Sequence, residues 1–154
     1  MIRHIWSVLC SSSSIDRDEN KLSLLDVVEQ ITLLEPITEP GVMPLQVHLV
    51  TLWRRENLAQ AVKTTARVRV LAPPQSEQVG KTHEYVVDLT KYLRLRQRVV
   101  FRTIPVRAEG TYEFVIEYMD TPEEWREAAR VPLDLVVKVP AATTDATAEP
   151  TTTH

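Results

Sequence analysis

The sequence predicts an all-β fold, an antiparallel sandwich of about eight strands, on three observations. Apolar and polar residues alternate at every second position in one segment after another, which is the period of a half-buried strand. Clusters of turn-forming residues separate these segments at intervals of about 8 to 14 residues. Almost no stretch shows helical spacing. The clearest strand runs from Tyr112 to Tyr118, where Tyr112, Phe114, Ile116 and Tyr118 share one parity and Thr111, Glu113 and Glu117 the other.

The elements follow in chain order. Residues 2 to 10 read as a first strand that ties the start of the chain into a sheet. The polar run Ser11 to Asn20 makes the tip of a hairpin, and Leu22 to Leu34 returns as one long apolar strand. A proline-punctuated connection from Glu35 to Pro44 leads into Leu45, Val47, Leu49, Thr51 and Trp53, alternating with Gln46, His48, Val50 and Leu52. This third strand is apolar on both faces, which places it at the centre of the sandwich. Val62 to Val70 has one wet face, with Lys63, Thr65, Arg67 and Arg69, and ends at Pro73-Pro74. His83, Tyr85, Val87 and Leu89 continue the alternation, a short helical turn is expected near Thr90 to Leu93, and Leu95 to Ile104 forms the next strand. Thr121-Pro122-Glu123-Glu124 has a helix-capping residue, a proline at the first helical position and a capping-box glutamate, so a brief helix is expected there. Ala129 to Val139 restores the strand period. A domain of residues 1–140 is followed by a Thr/Ala/Pro-rich tail, 141–154, with no large apolar side chain to offset its ordering entropy, and the tail is expected to be disordered.

Bulk composition bounds the function. Lys and Arg number 18 against 21 Asp and Glu, so a net charge of -3 exerts no general pull on nucleic acid or anionic membrane, and neither is an expected partner. The single cysteine, Cys10, excludes an intrachain disulfide and a multi-cysteine zinc site. With no secretory signal, this favours a reducing cytoplasm. The apolar run before Cys10 is about five residues, short of the roughly 7–15 that export requires, and no run approaches a membrane span.

Most motifs resolve to structural readings. Asp16, Asp18 and Asn20 have the first three oxygen positions of a calcium loop, yet Lys21 stands where glycine belongs and Val27 where the bidentate glutamate belongs. A solvated hairpin turn is the better reading. Cys10 has no glycine-rich elbow or oxyanion loop and reads as a small buried hydrophobe. His4, His48 and His83 lie on separate strands without carboxylates at ligand spacing, so neither a metal nor another cofactor is expected. Trp6, Trp53 and Trp125 read as core residues in preference to a sugar platform.

One concentration remains, the acid-free segment containing Lys91, Arg94, Arg96, Arg98, Arg102 and Arg107. Arg94, Arg96, Arg98 and Arg102 share the parity opposite to Val99 and Phe101, so they are expected to form a ladder on the outer face of a sheet. Guanidinium forks in a row suit phosphates or acidic groups. The competing reading is a solvated strand neutralised by Glu113, Glu117, Glu123 or Glu124.

The segment Gly110-Thr111-Tyr112 resembles the corner before strand F of immunoglobulin-like domains, where a tyrosine hydroxyl bonds back to upstream backbone. Together with Asn20-Lys21-Leu22-Ser23-Leu24 and Val27 to Ile31, it is similar to a family of uncharacterised bacterial single-domain β-sandwich proteins. The resemblance implies an immunoglobulin-like sandwich and no particular activity. The function expected is therefore that of a non-enzymatic interaction or assembly module for another protein. The alternative is a module that binds a phosphorylated or polyanionic ligand through the arginine ladder.

Overall fold

Strand periodicity in the sequence becomes nine strands in the computed structural model, which describes residues 1–138. They are β1 (Ile2–Asp16), β2 (Lys21–Val27), β3 (Gln30–Leu33), β4 (Gly41–Arg55), β5 (Lys63–Ala72), β6 (Glu77–Asp88), β7 (Arg94–Val106), β8 (Gly110–Thr121) and β9 (Glu124–Val137). The tail expected to be disordered, 141–154, and Val139 lie outside the described residues. The strands form a four-stranded sheet in the order β2-β1-β4-β7 and a five-stranded sheet in the order β3-β9-β8-β5-β6. There is no helix among the described residues.

Inward side chains of both sheets meet in one core. Leu9, Val47, Leu49, Trp53 and Phe101 come from the smaller sheet, and Val68, Tyr112, Phe114, Ile116 and Leu133 from the larger. Three edge-to-face aromatic contacts bridge the layers: Phe101 to Phe114 at 5.1 Å, Trp53 to Tyr118 at 5.9 Å and His83 to Phe101 at 4.7 Å. That geometry sets the positive ring edge of one partner against the negative face of the other.

Three expectations change. The long strand Leu22 to Leu34 is two strands in different sheets. Asp26 takes a left-handed backbone, φ 52°, and Val28 and Glu29 step across between the layers. Val28 N donates to Leu9 O at 2.8 Å on one side, and Asp134 N donates to Glu29 O at 3.0 Å on the other. Because β3 arrives by this crossing and not through a hairpin, it lies parallel to β9, from Gln30 opposite Asp134 to Leu33 opposite Val137. Every other pairing is antiparallel. The helix expected at Thr121 is the turn of the β8–β9 hairpin, with Thr121 opposite Glu124 and Met119 opposite Trp125. A one-turn helix has an unfavourable nucleus, and the ladder on both sides outweighs the capping signal. Near Thr90 the helical turn is likewise replaced by a local turn in which the Asp88 carboxylate accepts from Thr90 N at 3.0 Å and Thr90 Oγ1 at 2.6 Å.

The β7–β8 connection takes the chain from one sheet to the other over Tyr112. This residue is 2% exposed; its hydroxyl donates to Ala108 O at 2.8 Å and accepts from Arg107 N at 3.0 Å. Gly110 makes the corner possible: its φ is 133°, and a Cβ there would stand 3.1 Å from the ring of Pro73. Replacing Tyr112 with Phe removes two hydrogen bonds at a part-buried corner, each worth about 0.5–1.5 kcal/mol, so chemical denaturation should show a loss of roughly 1–3 kcal/mol. An unchanged midpoint would mean that the hydroxyl contributes nothing to the corner.

Candidate functional site

Alternation on β4 sends Val47, Leu49 and Trp53 into the core and leaves His48, Val50, Leu52 and Arg54 on the outer face. Strand register then builds rows across the smaller sheet. Arg3 stands beside Arg54 and Arg94, Trp6 beside Leu52 and Arg96, Val8 beside Val50 and Arg98, and Cys10 beside His48 and Val100. The outer face is thus apolar in the middle and cationic along β7 and at one end.

The hairpin made by the far half of β1 and by β2 does not extend into solvent. It curls back over this face as an arm. Ser13 Oγ lies 3.2 Å from His48 Nδ1, and Arg98 Nη1 donates to Ser13 O at 3.4 Å. Further along, the Arg96 guanidinium donates to Asn20 Oδ1 and to Asn20 O, each at 3.0 Å. Under the arm Val50 is only 2% exposed, and Cys10 is fully buried. Left-handed Asp26 marks the bend, where Ser11 Oγ donates to Leu25 O at 3.1 Å and to Asp26 Oδ2 at 3.2 Å. At the tip, the calcium-like spacing serves a turn: Asp16 Oδ1 accepts from Asp18 N at 2.9 Å and Glu19 N at 3.3 Å, and Asn20 is left-handed at φ 55°.

Arm and sheet enclose two neighbouring grooves. One of about 520 Å³ is lined by Ile15, Asn20, Leu52 and Tyr92 with Arg94 and Arg96, and by one acid, Glu19, whose carboxylate pairs with Lys21. The other, of about 370 Å³, brings Arg17 to Arg96 and Arg98 over Val50. Arg94, Arg96 and Arg98 therefore share one face, as their spacing predicts. Arg102 does not join them. Phe101 and Ile104 both point into the core, so the two-residue alternation breaks between them, opposite the register shift of β4 between Pro44 and Val47. Arg102 is turned toward the β6 side of the sandwich, where it lines a separate groove with Lys81 and His83.

Among the described residues, no carboxylate lies within ion-pair distance of Arg3, Arg54, Arg94, Arg96 or Arg98. The glutamates expected to neutralise the ladder belong to the other sheet. Glu117 holds Arg67 at 2.6 Å and Arg69 at 2.9 Å, and Glu113 accepts from Arg130 at 3.2 Å. Arg126 pairs with Asp120 at 2.9 Å, and Arg130 also with Glu127. Arg67 in addition lies over the ring of Trp125 at 4.0 Å. Of the three tryptophans expected in the core, Trp53 alone fills it; Trp6 and Trp125 are half-buried on different sheets, Trp6 beside Leu52 and Trp125 under Arg67.

Nucleophilic chemistry has little to build on. Burial pushes the Cys10 thiol up, against the opposing charge of Arg98, and the thiol faces His48 O at 3.7 Å. A neutral, covered thiol is a poor nucleophile. His4 Nε2 is 2.8 Å from Ser7 Oγ, which is 2.9 Å from Thr51 Oγ1, and burial lowers the His4 pKa. No carboxylate hydrogen-bonds His4 among the described residues, so the ring has no acidic partner to orient it as a base. Burial also pushes the Tyr85 phenol up to about 12. No group of three or more His, Cys, Asp or Glu side chains able to hold a metal ion occurs among the described residues.

No family model matches the chain, and no curated protein matches it.

The two outer faces differ in a measurable way. Burial alone would raise the Glu117 carboxyl; the hydrogen bonds and charges of Arg69 and Arg67 overcome this and hold it below its usual 4.5. A lowered folded-state value adds stability that is complete at neutral pH and is lost as pH falls from the ordinary glutamate range through the folded-state value. Glu117→Gln should therefore destabilise by roughly 1.5–3 kcal/mol at pH 7 and flatten that part of the acid limb in urea titrations. Equal acid limbs in variant and parent would show that Glu117 is not the group responsible.

Proposed function

We propose that the protein is a non-enzymatic interaction module that presents the outer face of its smaller sheet to an acidic segment of another protein. One observation carries the reading: the arginines on that face have no carboxylate partner among the described residues, whereas Arg67, Arg69, Arg126 and Arg130 of the other sheet each have one, Arg67 and Arg69 sharing Glu117. Exposed guanidinium groups held on neighbouring strands, roughly 4.8 Å apart, are pre-arranged donors for carboxylates and lose little freedom on binding. Tyr92, 65% exposed, and Ile15, 53% exposed, add apolar contact beside them.

The scaffold of this reading is an immunoglobulin-like sandwich. Its support is the tyrosine corner between β7 and β8 and the parallel pairing of β3 with β9 at the edge of the larger sheet. A reducing cytoplasm suits the single buried cysteine. The second reading, a phosphorylated or polyanionic ligand, is favoured by the row Arg3–Arg54–Arg94, which offers forks to successive phosphates with no neutral acceptor competing for them.

Arg96 and Arg98 also hold the arm, so the test uses the row that holds nothing. In a pull-down at low salt, the double variant R54E/R94E should lose the partner recovered by the parent, and the parent complex should weaken steeply with salt. The thermal midpoint should shift little, because exposed charges contribute only about 0–1 kcal/mol each. Partner recovery unchanged by R54E/R94E would refute the proposed face. Loss of binding after phosphatase treatment of the partner would favour the second reading over the first.

A further inference from the structure

β6 and β7 are the end strands of their sheets on the same side of the sandwich, and both lose regularity at the same level. On β6 the register against β5 shifts between Val79 and His83, where Gly80 takes φ 70°. On β7 the alternation breaks between Phe101 and Ile104, as described above. The two strands approach closely at two places. A Cβ on Gly80 would stand 3.5 Å from Pro105, and the His83 ring meets Phe101 edge-on at 4.7 Å. The groove bordered by these contacts has a volume of about 430 Å³. Its floor is the exposed side of core residues Val70, Val79, Phe101 and Ile104, and its rim is formed by exposed Lys81 and Arg102. No carboxylate lines it, and neither rim cation has an ion-pair partner among the described residues.

We propose that this groove is a binding site for a small amphipathic anion, a carboxylate with an unbranched or aromatic apolar body. The apolar floor takes the body, and Lys81 and Arg102 take the head, with the Arg102 fork able to donate to both carboxylate oxygens. The volume falls in the range of small-molecule sites, about 300–1,000 Å³. The site is separate from the arginine rows of the proposed interaction face. Arg102, which its spacing assigns to those rows, lines this groove together with Val100 at the β7 edge.

The probe is decanoate, titrated by calorimetry and by displacement of 8-anilinonaphthalene-1-sulfonate fluorescence. Saturable binding with one site per chain is expected, and decan-1-ol, with the same body and no charge, should compete at least roughly tenfold less well. K81E/R102E should weaken decanoate by at least about tenfold, and T103W, which fills the groove from an exposed position, should abolish it. R54E/R94E should bind decanoate like the parent, so that failure of this site and failure of the interaction face are read separately. Circular dichroism and thermal midpoints verify that each variant is folded, and K81Q/R102Q replaces the reversed pair if that pair is not. The proposal is overturned if decanoate shows no saturable binding, or if folded K81E/R102E or K81Q/R102Q and T103W bind it as the parent does.

Discussion

A strand that is apolar on both faces has to be covered twice, and β4 imposes this on the whole molecule. Its inward residues, Val47, Leu49 and Trp53, are met by the five-stranded sheet; its outward residues, His48, Val50 and Leu52, are met by the arm that curls back from β1 and β2. Removing such surface from water is favourable by about 25 cal/mol per Å², so the arm has a reason to fold down before any of its hydrogen bonds is considered. Its composition suits the task. Ser11 and Ser13 are small enough for close approach and supply polar partners at the bend and at His48, while Ile15 and Leu22 contribute apolar contact.

Covering β4 in this way decides the electrostatics of the surface. Arg96 and Arg98 are tied to Asn20 and Ser13, which are neutral, so they are positioned without losing their charge. On the opposite face Glu117 does the reverse for Arg67 and Arg69. A chain with a net charge of -3 thus separates its arginines into a neutralised set and a set that still seeks anions. No global count of charges reveals that division.

What the sequence makes legible is what is local. The alternation from Tyr112 to Tyr118 and the glycine before it announce both the strand and its corner, because the Tyr112 hydroxyl reaches backbone only four and five residues away. The parity of Arg94, Arg96 and Arg98 is also a local property and holds. Arg3 and Arg54 are not legible as members of the site because only strand register brings them beside Arg94, and the sequence signals no more than the outward parity of Arg54 relative to Trp53. Arg102 lines a groove apart from the other three arginines, which a period of two does not foretell, because the alternation breaks between Phe101 and Ile104. The capping pattern at Thr121 misled for a related reason: it describes what the segment would do alone, and the segment lies between two strands already paired.

The irregularities of β6 and β7 have a bearing on how the molecule behaves at high concentration. Both strands end their sheets, and a straight end strand offers a row of unpaired N–H and C=O groups to any neighbouring copy. Here the row is interrupted at Gly80 on one sheet and beside Arg102 on the other, and a lysine and an arginine stand at the interruptions. A second copy approaching edge to edge meets a kinked ladder and like charge, so open-ended stacking of sheets is disfavoured on this side. On the other side the end strand of the larger sheet is β3, which at 4 residues offers little ladder to the same kind of growth.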